Sequence, residues 1–164
     1  MIIYLLGPSG VGKSNAVQLL RSDQPQLDIV DLDADFPGRQ FDWHAIEPRL
    51  AQLHQQPVDG RHVVVDVGAG TQTLSEFSAF LRGAGALVIV VTAPPEQVVL
   101  RQPIPNRRVD EFITTEYATR QQLYGLAAVT VDVTGLGKEA AAQLVVDRVA
   151  AVLGSDGTDD GPAS

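Results

Sequence analysis

Residues 7–14 read Gly7-Pro8-Ser9-Gly10-Val11-Gly12-Lys13-Ser14, with the spacing G-x-x-x-x-G-K-[ST]. Every fixed position in that spacing suits the holding of a polyphosphate. The glycines let backbone N–H groups turn inward, Lys13 brings a positive charge to the β- and γ-phosphates, and Ser14 offers a hydroxyl to Mg²⁺. A helix is expected to open here and to continue through Asn15. Its N-terminal dipole then faces the same anion. From average residue usage, a chance match in a chain of this length has a probability of roughly half a percent. The flanking residues lower it further. Ile2-Ile3-Tyr4-Leu5-Leu6 is a buried-strand run, and Asn15-Ala16-Val17-Gln18-Leu19-Leu20 is amphipathic. Strand, glycine loop and helix form the context the motif requires.

Carboxylates follow at positions that suit metal or proton chemistry. Asp66 closes the apolar run His62-Val63-Val64-Val65. A carboxylate at the end of such a strand, beside a phosphate loop, can hold Mg²⁺ directly or through water. Asp31, Asp33 and Asp35 alternate after a second strand. One can support the metal, and another can accept a proton from an attacking hydroxyl. A polar turn explains the same residues, and Asp35 reads best as the cap of a short helix. Gly68-Ala69-Gly70-Thr71 reads equally as a close-approach turn for a ligand or as a tight strand-to-helix turn. Residues 102–108, Gln-Pro-Ile-Pro-Asn-Arg-Arg, form a breaker-rich loop ending in Arg107 and Arg108. Such a loop is a candidate lid, with Arg108 or Arg107 meeting the charge that develops on a moving phosphoryl group. His44, His54 and His62 have no ligand spacing and read as surface or strand-edge residues. Trp43 reads as core.

The elements that must position these residues alternate along the chain. Strands are expected at 2–6, 27–31, 62–67, 86–91 and 129–133. Helices are expected at 13–22, 43–56, 73–83, 95–101, 110–124 and 138–153. The strands are short, β-branched and bounded by turn residues, as buried parallel strands are. The alternation implies an α/β layered sandwich with right-handed crossovers, which gathers the carboxyl ends of the strands, and their aspartates, on the edge that carries Lys13.

Composition sets the outer bounds. The chain has 164 residues, a formal net charge of −8 and no cysteine. One domain spanning 1–153 is expected, with a disordered acidic tail over 154–164. Neither a disulfide framework nor a thiolate metal site can form. A cytoplasmic location fits that absence. The negative charge argues against nucleic acid or an anionic membrane as partner. No apolar run reaches the length of a membrane span, and no cleaved leader is expected.

With these motifs in view, the chain resembles the shikimate kinase family, within the nucleoside-monophosphate-kinase-like branch of P-loop proteins. The resemblance covers most of residues 1–153. It is strongest at residues 7–14, at Asp31-Leu32-Asp33, at Gly68-Ala69-Gly70 and at Arg120-Gln121-Gln122-Leu123-Tyr124. It implies a P-loop NTPase three-layer sandwich around a five-stranded parallel sheet of order 2-3-1-4-5. It also implies ATP and Mg²⁺ as cofactors and a small-molecule hydroxyl acceptor. In that scheme Lys13 and Ser14 meet the phosphates and metal, Asp31 supports the metal, and Asp33 sits by the acceptor hydroxyl. Arg108 matches the lid arginine, Arg120 grips an acceptor carboxylate, and Arg101 lies near the adenine opposite the loop 134–138. Three departures stand out. No arginine occupies the position near Trp43-His44, Ala69 interrupts the glycine triplet, and only a short stretch joins Asp35 to Trp43. The expected activity is therefore ATP-dependent phosphoryl transfer to a hydroxyl compound other than shikimate. The alternatives are a nucleotide-binding module or slow ATPase that regulates a partner, and a kinase acting on a macromolecule.

Overall fold

The computed structural model describes residues 1–55, 61–101 and 108–155. Five strands form one parallel sheet: β1 (Ile2–Leu6), β2 (Asp28–Asp31), β3 (Val63–Asp66), β4 (Leu87–Thr92) and β5 (Val129–Asp132). Their order is β2-β3-β1-β4-β5, with every adjacent pair parallel. The helices are α1 (Lys13–Asp23), the single turn α2 (Leu32–Asp35), α3 (Trp43–Gln55), α4 (Ser75–Ala84), α5 (Pro95–Arg101), α6 (Val109–Phe112), α7 (Ala118–Tyr124) and α8 (Lys138–Ser155). A π-helical turn over Ile113–Tyr117 joins α6 to α7. A 3₁₀ turn over Thr71–Thr73 precedes α4.

Strand side chains alternate between faces, so the central strand feeds two cores. Ile3 and Leu5 of β1, with Val64, Ile89, Val91 and Val131, pack against α1, α8, Val98 of α5 and Phe112 of α6. Tyr4 and Leu6, with Val63, Val65, Val88 and Val90, pack against α3, α4 and Leu123 of α7. Trp43 joins the second core, where it meets Phe77 and Phe80. His54 differs from its sequence reading. It lies on α3, accepts or donates a 2.9 Å hydrogen bond with the Tyr4 hydroxyl, and packs edge-on against Phe80.

The strand boundaries agree with the periodicity to within a residue. The helix expected at 110–124 is interrupted by the π turn; Glu116 lies in that turn, four residues before Arg120. Helix α8 runs on through Gly154 and Ser155, two residues of the expected tail; 156–164 lie outside the described residues. Between β2 and α3 there is one helical turn and then a pair of hydrogen-bonded turns, Arg39 N to Phe36 O and Asp42 N to Arg39 O. No described helix of the chain is long and apolar enough to cross a membrane.

The sheet must be intact for its carboxyl edge to present anything. Ile89 is fully buried in β4, between β1 and β5. Ile89→Ala should cost about 2–5 kcal/mol. Urea denaturation should show this as a lower midpoint at an unchanged slope. A change below about 0.5 kcal/mol, the range of ordinary surface substitutions, would contradict the placement of that side chain.

Candidate active site

The loop 7–12 leaves β1 and enters α1 with three glycines in the left-handed half of backbone space: Gly7 at φ 143°, Gly10 at φ 89° and Gly12 at φ 105°. Side chains are strained in that region. At Gly7 space forbids one as well, because a Cβ would collide with the Val91 carbonyl. Gly10 lies against the end of α5, where a Cβ would stand 3.2 Å from Val98 O and 3.4 Å from Arg101. Helix α1 starts at Lys13 with no side-chain cap. Its first N–H groups have no intrahelical partner, which makes this end a natural seat for an anion.

The loop borders a cavity of about 270 Å³ at the carboxyl edge of the sheet. Ser9, Gly10, Gly12, Lys13, Ser14 and Asn15 line one side; Asp33, Asp66, Gly68 and Ala69 line another; Arg101 and Lys138 complete it. Three of the nine loop residues read from the sequence do not face the cavity. Val11 is a core side chain, and Gly7 and Pro8 instead turn their carbonyls to Lys13. Lys13 Nζ donates to Gly7 O at 2.7 Å and Pro8 O at 3.2 Å. Burial pushes the Lys13 pKa below its usual value, and the negative charge of Asp66 opposes that shift.

Asp66 pairs in register with Leu5 of β1 and Asp31 of β2, so it sits in the middle of the sheet edge. It is buried, and among the described residues its Oδ1 has no hydrogen-bond partner. Burial raises its pKa from 3.8 to about 6 against the pull of Lys13, with Asp31 and Asp33 adding to the rise. Asp33 lies over Gly68, where any Cβ would overlap its carboxylate. The first glycine of the 68–70 turn therefore makes room for an aspartate. The second makes room for Gln40, whose Cβ would come within 2.9 Å of a Cβ at position 70. The Asp33 pKa is also raised, first by desolvation and then by the charge of Asp31, while Lys13 lowers it.

The other expected residues are placed differently. Asp31 does not line the cavity. Its Oδ1 accepts a 3.1 Å hydrogen bond from Ala34 N, so Asp31 rather than Asp35 caps the helical turn α2. Asp35 is 3.7 Å from Arg49 instead. Arg108 is 77% exposed and forms a two-point pair with Asp110, at 3.0 and 2.8 Å. Arg107 and the rest of the 102–107 loop lie outside the described residues. Arg120 is 3% exposed. Its Nη1 donates to Glu116 at 2.7 Å and its Nη2 to the Ala69 carbonyl at 2.8 Å. Arg101 lines the cavity and donates to the Leu136 carbonyl, which joins α5 to the 134–138 loop.

Gln72 is a site neighbour that the sequence did not reveal. It is 2% exposed, and its amide bonds both backbone groups of Gly7. A single glutamine in a turn carries no spacing signal, so only the fold exposes its position.

A divalent cation fits this edge in a limited way. Asp66 and Ser14 both line the cavity, and Asp66 Oδ1 has no partner among the described residues. Among the described residues no group of three or more His, Cys, Asp or Glu is placed to hold a metal. That donor set suits Mg²⁺, which keeps several waters and takes its other ligands from phosphate.

The chain matches no protein-family model and no curated protein. Solved structures do match. A shikimate kinase from Bacteroides thetaiotaomicron superposes with a TM-score of 0.65 at 17% identity, covering 94% of this chain and 98% of that one. A gluconokinase from Sinorhizobium meliloti gives 0.55 at 15% identity, covering 97% of each chain. The tunicamycin resistance protein of Deinococcus radiodurans gives 0.57 at 20% identity, covering 90% of this chain and 94% of that one. The fold is thus the P-loop kinase fold of the shikimate-kinase-like kind, with the sheet order 2-3-1-4-5 expected of it.

The raised Asp66 pKa has a measurable consequence for stability. The folded chain binds a proton at Asp66 more readily than the unfolded chain, so the carboxylate form costs stability above about pH 6. The cost fades as pH falls through that value. Asp66→Asn should therefore be more stable than wild type at pH 7.5, by about 1–3 kcal/mol. The difference should shrink as pH falls from about 6 and vanish only below about 3, where Asp66 is protonated in both states. Melting temperatures of the two proteins across that range test it, and a difference independent of pH would contradict the assignment.

Proposed function

We propose that this protein is an ATP-dependent small-molecule kinase that transfers the γ-phosphate to a hydroxyl acceptor. The observation that carries the reading is the meeting of Lys13, Asp33, Asp66 and Ser14 in one cavity, beneath a left-handed glycine loop and an uncapped helix N-terminus. The fold it shares with a shikimate kinase and a gluconokinase supports the same class.

In this reading the N–H groups of the loop and of α1 hold the phosphates, with Ser9, Gly10, Gly12, Ser14 and Asn15 around them. Lys13 keeps the Gly7 and Pro8 carbonyls as acceptors and offers its third N–H donor to the β- and γ-phosphates. Arg101 and the 134–138 loop flank the base. Ser14 and Asp66 hold Mg²⁺, with Asp31 behind Asp66 adding negative charge. The ion neutralises phosphate charge when bound. Asp33 accepts the proton of the acceptor hydroxyl. The acceptor oxygen forms a bond to the γ-phosphorus, the bond from phosphorus to the β–γ bridging oxygen breaks, and ADP leaves with that electron pair. The raised Asp33 pKa suits a base that must take up a proton. Because Asp33 lies over Gly68, the acceptor approaches along the 68–70 turn.

A second reading is a nucleotide-binding module or slow ATPase. The arginines favour it: Arg108 faces solvent with Asp110, and both terminal nitrogens of Arg120 are engaged, by Glu116 and the Ala69 carbonyl. One experiment separates the two. ATP turnover should rise with at least one compound from a panel of sugars, polyols and hydroxy acids. Asp33→Asn should then lower that turnover by about 10²–10⁴-fold while ATP affinity changes little. Intact ATP binding with no response to any acceptor favours the module.

A further inference from the structure

We propose that Gln72 is the positioning residue for Lys13, fixing the first carbonyl of the phosphate loop so that the ammonium points into the cavity; this rests on the nucleotide-binding reading above. The Gln72 side chain is buried, and its amide is completely used. Nε2 donates to Gly7 O at 3.0 Å and to Val67 O at 2.7 Å. Oε1 accepts from Gly7 N at 3.2 Å and from the Tyr124 hydroxyl at 3.2 Å. An amide has two donor hydrogens and two acceptor sites, so all four are satisfied.

The arrangement continues the sheet by one rung. The last backbone bond between β3 and β1 at this edge is Val67 N to Leu5 O, at 3.2 Å. Beyond it the pairing of β1 ends at Leu6, and Gly7 turns away at φ 143°. The Gln72 amide substitutes for the missing peptide. It engages both the N–H and the carbonyl of Gly7 and ties them to Val67, the residue after Asp66. The Gly7 carbonyl is also the 2.7 Å acceptor of Lys13 Nζ. Its two lone pairs are therefore shared between Gln72 and Lys13. Losing the glutamine would free Gly7 O to rotate, and the lysine would follow.

Tyr124 carries the support outward. It is the last residue of α7, one turn after Arg120, which bonds the Ala69 carbonyl. Helix α7 thus braces the phosphate loop through Gln72 and the 68–70 turn through Arg120.

The test separates a positioning role from a purely structural one by comparing two nucleotides. Lys13 addresses the distal phosphates, so its misplacement should weaken ATP and spare AMP. Gln72→Met keeps the side-chain length and removes all four hydrogen bonds. Its affinity for Mg²⁺·ATP should fall about 10-fold or more, with AMP affinity within about 2-fold of wild type. Equal losses for both nucleotides, or no loss for either, would overturn the proposal and leave the nucleotide reading standing. A wild-type protein that binds neither nucleotide would overturn both. If Gln72→Met does not fold, Tyr124→Phe carries the test. It removes one of the four contacts and should weaken ATP about 3-fold without changing AMP. An unchanged ratio of ATP to AMP affinity in that variant would overturn the proposal.

Discussion

A buried ammonium facing a buried carboxylate at the centre of a parallel sheet is the constraint on which the rest of the molecule depends. Lys13 and Asp66 are both largely removed from water, and each destabilises itself while favouring the other. Each charge offsets part of the other's desolvation cost, and burial remains the larger effect on both. Their pairing is set by connectivity. Lys13 begins the helix after β1, Asp66 ends β3, and the two strands are hydrogen-bonded neighbours in register. The sheet order 2-3-1-4-5 places these two charges together. It also brings β2, with Asp31 and the Asp33 that follows it, to the same edge.

Around that pair the chain is organised to leave room. The glycines at 7 and 68 make way for the Val91 carbonyl and for Asp33 respectively. The left-handed loop and the uncapped start of α1 turn N–H groups toward the same cavity. Buried polar side chains then hold the walls: Gln72 fixes Gly7, and Arg120 with Glu116 fixes Ala69. These contacts are hydrogen bonds in a dry environment, where a missing partner is costly. The walls of the site are therefore more rigid than its loops alone would make them.

Much of this was legible in the sequence, for physical reasons that differ by element. The strands announced themselves because buried parallel strands need uninterrupted β-branched residues, as in Val63-Val64-Val65. The phosphate loop was legible because its geometry admits few residue types at fixed spacing. Asp33 and Asp66 followed from strand ends. The partners of Arg108 and Arg120 did not follow. An arginine's long side chain reaches several partners, and the sequence does not say which carboxylate claims it. Arg120 found Glu116 four residues earlier, one helical turn away, and Arg108 found its near neighbour Asp110. Asp31 was read as a metal supporter, but it also caps α2, a role that its position before Leu32 allows equally. Gln72 was invisible because its importance lies wholly in tertiary hydrogen bonds.

The central claim is that the Lys13–Asp66 edge receives a magnesium–triphosphate pair. Calorimetric titration of the whole chain with ATP, with and without Mg²⁺ at pH 7.5, tests this most directly. The account predicts a single site whose affinity rises about 10-fold or more when Mg²⁺ is present, as expected where Ser14 and Asp66 share the ion with the phosphates. Absence of ATP binding, or binding indifferent to Mg²⁺, would contradict it.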